Sequence, residues 1–180
     1  VNGFDPEPLI WEACGDTECA TLIVPMDHAV PGGPVIEVAV ALMRAVAEPR
    51  IGVLVMNPGG PGGSGIEMLK WMGPAMADPD FLGRFDLVGF DPRGSGASTT
   101  VSCVDDFDDE IMVLGPETGL QEVVADAEDL VADCLERSGD LAHHVGTNAV
   151  ARDIDVLRRA MGEEQISYLG YSYGTRLGAV

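Results

Sequence analysis

Ile166–Gly178, ISYLGYSYGTRLG, decides the reading of this chain. Ile166, Tyr168 and Leu169 read as a short apolar strand, and the residues after Gly174 as the start of a helix. Between them Gly170-Tyr171-Ser172-Tyr173-Gly174 spells G-x-S-x-G, a nucleophile elbow. The chemistry explains the glycines: the serine must sit on a strained strand-to-helix turn, and side chains at the two flanking positions would crowd it. The helix that follows offers backbone N–H groups and a positive dipole end to developing negative charge. The pentapeptide alone recurs in unrelated proteins; its weight comes from the strand before it, the helix after it and a second glycine loop upstream.

That upstream loop is Asn57–Gly65, NPGGPGGSG. It follows Ile51–Met56 (IGVLVM), a β-branched apolar run that predicts a fully buried strand. Gly60–Gly65 literally matches the dinucleotide fingerprint G-x-G-x-x-G. However, Asn57-Pro58-Gly59 separates it from the strand, and Pro61 removes a backbone donor. No Lys-Ser/Thr ending makes it a phosphate-binding P-loop. A loop that turns a backbone N–H toward an oxyanion also needs glycine, and five glycines in seven residues exceed what a simple turn requires.

Further out, Val35–Met43 and Phe85–Phe90 read as strands, the latter closed by the turn Asp91–Gly96. Residues 1–24 read as irregular, ending in Thr21-Leu22-Ile23-Val24, and Pro25–Pro34 as a turn-rich link. Ile66–Met72 reads as a short helix capped by Ser64. Leu120, Val123, Val124, Ala127, Leu130, Val131 and Cys134 recur at helical spacing opposite an acidic face, predicting a surface helix of about five turns. A second helix runs from about Asn148 to Met161. It is capped by Thr147 or Asn148, with a stripe of Val150, Ile154, Leu157 and Met161, and with Asp155 placed to pair with Arg158 or Arg159. Alternating strands and helices predict an α/β fold with a mostly parallel sheet flanked by helices.

At 180 residues and 46% apolar content the chain can bury one core. The net charge of −20 sets 30 acids against nine arginines and Lys70, which disfavours nucleic acid and anionic membranes as partners. No apolar run reaches the roughly eighteen residues of a membrane span. Cys14, Cys19, Cys103 and Cys134 lack C-x-x-C spacing, and no histidine cluster supplies a metal site. Neither metal nor cofactor is expected. Cys14–Cys19 with Cys103–Cys134 is the most local of three possible pairings, worth about 2 and roughly 3–4 kcal/mol on loop entropy. Disulfides would place the protein outside the cytosol, secreted or at the cell surface.

The three histidines, His28, His143 and His144, all precede Ser172. His28 or His143 suits the residue order of some serine peptidases, but the elbow belongs to the order serine, acid, histidine. His143-His144 reads as a surface pair in a loop. Asp91 and Arg93 read as fixing their turn, and Asp153 as a solvent-facing helical charge.

Taken together, the chain resembles the α/β-hydrolase fold and, more narrowly, the secreted tripeptidyl aminopeptidases and related proline-iminopeptidase-like hydrolases of actinobacteria. The matching stretches are Trp11…Cys14…Cys19-Ala20 leading to Val24-Pro25-Met26-Asp27, Asn57–Gly65, Phe85–Ser98, Asp133-Cys134 and Gly170–Thr175. The resemblance implies a serine peptidase that removes short peptides from free N-termini of peptides or proteins. It implies Ser172 as nucleophile, with the N–H of Tyr173 and that of Gly59 or Gly60 holding the oxyanion. In such enzymes the acid, the histidine and the substrate-selecting lid follow the elbow, whereas here Val180 is eight residues past Ser172. The expectation is an incomplete domain over 1–180: a disulfide-bearing segment at 1–34, then the first strands and helices at 35–180. It would be truncated after the elbow and inactive without the missing C-terminal half of the same enzyme. An esterase or lipase on the same fold, and a degenerate non-catalytic hydrolase, are the competing readings.

Overall fold

The computed structural model describes residues 3–104 and 119–180. Among these, one sheet is built from β1 (Glu12–Cys14), β2 (Thr17–Pro25), β3 (Val35–Met43), β4 (Gly52–Asn57), β5 (Phe85–Phe90) and β6 (Ser167–Gly170). Their spatial order is β1-β2-β3-β5-β4-β6. The sheet is mixed. β4 pairs in parallel with both β5 and β6, while β1–β2, β2–β3 and β3–β5 are antiparallel. The parallel half is where the sequence alternates strand with helix; β1, β2 and β3 follow each other with only turns between, and the antiparallel pair β3–β5 joins strands separated in sequence by β4 and α1.

Residues 1–24 are therefore not irregular throughout. Thr17–Pro25 is a nine-residue strand paired along its length with β3. Leu22 and Val24 are buried while Thr21 and Ile23 face out, a period of two. β2 belongs to the sheet itself, so the N-terminal segment supplies core rather than merely carrying cysteines. The sulfurs of Cys14 and Cys19 lie at bonding distance across this hairpin, and those of Cys103 and Cys134 join the strand-following loop to the long helix.

Helices cover both faces. α1 (Gly65–Met76) packs Ile66, Met68 and Leu69 against Leu54, Met56 and Leu87. α3 (Thr147–Ala160) packs Val150, Val156 and Leu157 against Val53, Val55, Val88 and Phe90 on the other face. Adjacent residues of β4 and β5 thus serve opposite layers, which is why both strands read as uninterrupted apolar runs. α1 is capped as expected: Glu67 N–H donates to Ser64 Oγ at 3.0 Å. It continues four residues past the predicted end, through Pro74. α3 begins one residue early, with Gly146 at its cap and no side-chain capping bond. Thr147 is diverted, its Oγ1 lying 2.7 Å from the Tyr173 hydroxyl. Asp155 pairs with both Arg158 and Arg159.

α2 (Leu120–Ser138) has the predicted position and length, and no residue of it is buried. A short 3-10 helix over Gly139–His144 follows, so the histidine pair closes a helical turn rather than lying in a loop. α4 (Tyr173–Leu177) completes the described elements. No helix among the described residues is long and apolar enough to cross a membrane.

Candidate active site

β6 runs straight into Ser172, whose backbone sits at φ 51, ψ −125. It is the one non-glycine residue with positive φ among the described residues. An L-residue is held there only when its surroundings over-determine the turn, at a cost of about 1–3 kcal/mol. The surroundings do so. Tyr171 N–H donates to Asn57 O at 3.0 Å, Gly174 N–H to Tyr171 O at 2.7 Å and Thr175 N–H to Ser172 O at 3.0 Å. The flanking glycines are required by space. A Cβ on Gly170 would come within 2.5 Å of Gly174 O, and one on Gly174 within 2.8 Å of both Asn57 oxygens. Ser172 itself is exposed.

The glycine loop packs directly on the elbow. A Cβ at Gly59, where φ is +100, would meet Tyr171 O at 2.5 Å, Tyr173 N at 3.0 Å and Ser172 Cβ at 3.1 Å. Gly59 N–H is already engaged, donating to Asn57 Oδ1 at 2.9 Å. The N–H groups of Gly60 and Tyr173 have no partner among the described residues. Loop and elbow thus touch at Gly59, and the two unpartnered donors belong to the residue after it, Gly60, and to Tyr173, which follows the exposed Ser172. Asn57 organises this junction and was not singled out from the sequence. Its signal was an amide at the C-terminal end of a buried strand, next to a glycine loop. It is 1% exposed, bonds both the loop and the elbow, and leaves its Nδ2 buried without a partner.

Tyr168 supports the elbow from beneath, its hydroxyl donating to Gly174 O at 3.1 Å. Burial pushes its phenol up to about 12, with Tyr173 adding to the effect. The dipole of α4 contributes little, because the helix spans five described residues; the individual N–H groups carry the electrostatics.

Among the described residues neither acid nor base is hydrogen-bonded to Ser172, the three histidines included. His28 is buried, with Nε2 2.8 Å from Asp153 Oδ1 and 3.1 Å from the Arg93 guanidinium. Asp153 is therefore not a solvent-facing charge but 2% exposed, accepting from Arg93 through both oxygens at 2.6 and 2.7 Å. Helical spacing puts it on the same face as Val150 and Leu157, which the sheet covers. Arg93 does more than fix its own turn: it donates to Pro25 O, Met26 O and His144 O, tying β2 and the 3-10 helix to α3. Asp91 does fix the turn, accepting from Ser64 Oγ at 2.5 Å and Ala97 N–H at 2.9 Å.

The sequence profile of the alpha/beta hydrolase fold matches residues 52–180. The chain belongs to the alpha/beta hydrolase fold family. Within that family it is 37% identical to the serine protease Hip1 of Mycobacterium tuberculosis, over 96% of this chain and 36% of that protein. It is 38% identical to a tripeptidyl aminopeptidase of Streptomyces lividans, over 94% of this chain and 34% of the relative. It is 45% identical to carboxylesterase B of Mycobacterium tuberculosis, over 83% and 32% respectively. The chain spans about a third of the length of the curated relatives it matches. On this alpha/beta hydrolase frame, Ser172 falls at the strand-to-helix turn and Gly60 in the loop after β4.

Proposed function

We propose that residues 1–180 are one incomplete α/β-hydrolase domain carrying the nucleophile and oxyanion hole of a serine hydrolase. The observation that carries this is the strained backbone of Ser172, packed against Gly59 of the glycine loop, with the N–H groups of Tyr173 and of Gly60, the next loop residue, unpartnered among the described residues. Ser172 Oγ attacks an acyl carbonyl. The carbonyl oxygen, becoming anionic in the tetrahedral intermediate, takes hydrogen bonds from Tyr173 and Gly60. Gly59, with its own N–H held by Asn57, shapes the loop instead. A hydroxyl without a general base is a poor nucleophile at neutral pH. The reading therefore assigns the acid and histidine to chain beyond residue 180, which the greater length of the relatives supports. The same added chain would pair the free edge of β6.

For substrate we favour release of short peptides from free N-termini, on the strength of two peptidase relatives aligned along nearly the whole chain. Esterase activity is the second reading, favoured by the 45% identical carboxylesterase. The two disulfides support a location outside the cytosol. To test this, the enzyme from its natural source is assayed on an unblocked tripeptidyl anilide, the N-acylated version and a short acyl ester. The aminopeptidase reading predicts that the free amine raises kcat/KM by about tenfold or more over the blocked peptide. Ser172→Ala abolishes turnover of all three. An ester hydrolysed while both peptides are inert establishes the second reading, and full activity in Ser172→Ala overturns both.

A further inference from the structure

Asn57 ends β4 where the glycine loop meets the elbow, and its side chain is an unusual choice for that place. The residue is 1% exposed, and its Nδ2 is buried with no hydrogen-bond partner among the described residues. A bare buried donor destabilises the fold, and an apolar side chain would avoid the loss. Packing alone does not account for an amide here.

The other end of the amide does. Oδ1 accepts the N–H of Gly59 at 2.9 Å, which fixes how the amide faces, since the reverse orientation would set donor against donor. Oδ1 also touches the elbow: a Cβ on Gly174 would stand 2.8 Å from it. The backbone carbonyl of the same residue accepts the N–H of Tyr171 at 3.0 Å. Asn57 therefore holds Gly59, one residue before the first unpartnered donor, and Tyr171, two residues before the second. By engaging Gly59 N–H, its side chain also determines that the loop amide left over is that of Gly60.

A carboxylate would accept the same bond, and more strongly. Its charge, however, would stand in the hydrogen-bonded chain that holds both donors, where a second negative charge develops during acyl transfer. Like charges brought together away from water oppose each other. A neutral acceptor avoids that conflict. We infer that Asn57 is the positioning residue of the oxyanion hole, its neutral Oδ1 setting the loop so that Gly60 N–H joins Tyr173 N–H on the developing oxyanion. The inference rests on the serine-hydrolase reading of Ser172 and adds to it a group that itself touches neither substrate nor oxyanion. Such a group acts on the transition state, so its removal is read in kcat and not in KM.

The full-length enzyme carrying Asn57→Ala or Asn57→Asp is assayed on the peptide anilide or ester that the native enzyme turns over. Asn57→Ala removes the acceptor. Its kcat is predicted to fall about tenfold to a hundredfold at unchanged KM, up to the loss that follows removal of one oxyanion donor. Asn57→Asp keeps the acceptor and adds a charge. Burial raises that carboxyl above the ordinary carboxylate range, so the charge is present at high pH and absent at low pH. The ratio of its kcat to the native value is predicted to rise as pH falls, which a purely structural asparagine would not produce. Thermal unfolding shows that each assayed variant is folded; should Asn57→Ala not fold, the pH ratio of Asn57→Asp decides. Native kcat in folded Asn57→Ala, a change confined to KM, or a ratio for Asn57→Asp that is flat with pH overturns the proposal. Failure of the hydrolase reading shows itself separately, as turnover that persists in Ser172→Ala.

Discussion

Ser172 and Asn57 show how much of the site is encoded in single residues. At φ 51 a serine is strained and a glycine is not, so the nucleophile is retained against local stability. Ser172→Gly is therefore predicted to be more stable than Ser172→Ala by about 1 kcal/mol, measured by urea unfolding, although both are inactive. Equal stabilities would mean the turn carries no strain. The serine and its flanking glycines were legible in the sequence because the flanking positions have no room for a Cβ and so fix the spacing around the serine. Asn57 was not, since an asparagine after a buried strand reads as ordinary loop chemistry until the elbow is seen against it. Asp153 was misread for a related reason. Charge on a helix suggests solvent, yet its helical phase with Val150 and Leu157 was available and places it inward.

At the level of elements, two latches hold the site. One is the buried Asp153–Arg93–His28 cluster that ties α3 to the end of β2 and to the turn after β5. Removing only the acid strands a buried guanidinium. Asp153→Ala is accordingly predicted to lose about 3–5 kcal/mol in denaturant unfolding, and a loss near zero would show that Arg93 finds water. The other latch is Tyr168, which joins β6 to α4 beneath the elbow. Its phenol is raised by burial from 10.0 to about 12, so the neutral form is the one the fold favours. The stability this confers is complete below pH 10, the unfolded value, and is lost as pH rises through about 12. Unfolding midpoints followed across this range are predicted to fall in the native protein and to lose that component in Tyr168→Phe. Parallel curves would remove Tyr168 from the account. The strands and helices around these latches were mostly legible from periodicity. The exceptions were β1 and β2: Thr21-Leu22-Ile23-Val24 is a short β-branched apolar run without polar alternation, since the outward Ile23 is apolar, and the cysteines and turns around it overshadow it.

Across the whole molecule, the parallel half of the sheet presents β4, β5 and β6 with their C-terminal ends toward the glycine loop, the Asp91 turn and Ser172, where sites of such sheets form. The antiparallel half is a scaffold of consecutive strands whose pairing the sequence could not rank, because order within a sheet depends on which faces are covered. On the proposed function, Ser172 becomes a nucleophile when the acid and histidine are supplied by further chain. It is tested most directly by treating the protein from its natural source with a phosphonofluoridate and mapping the adduct by peptide mass spectrometry. The prediction is one adduct, on Ser172, absent from Ser172→Ala. An adduct on any other residue, or none on a preparation that hydrolyses its substrate, would contradict it.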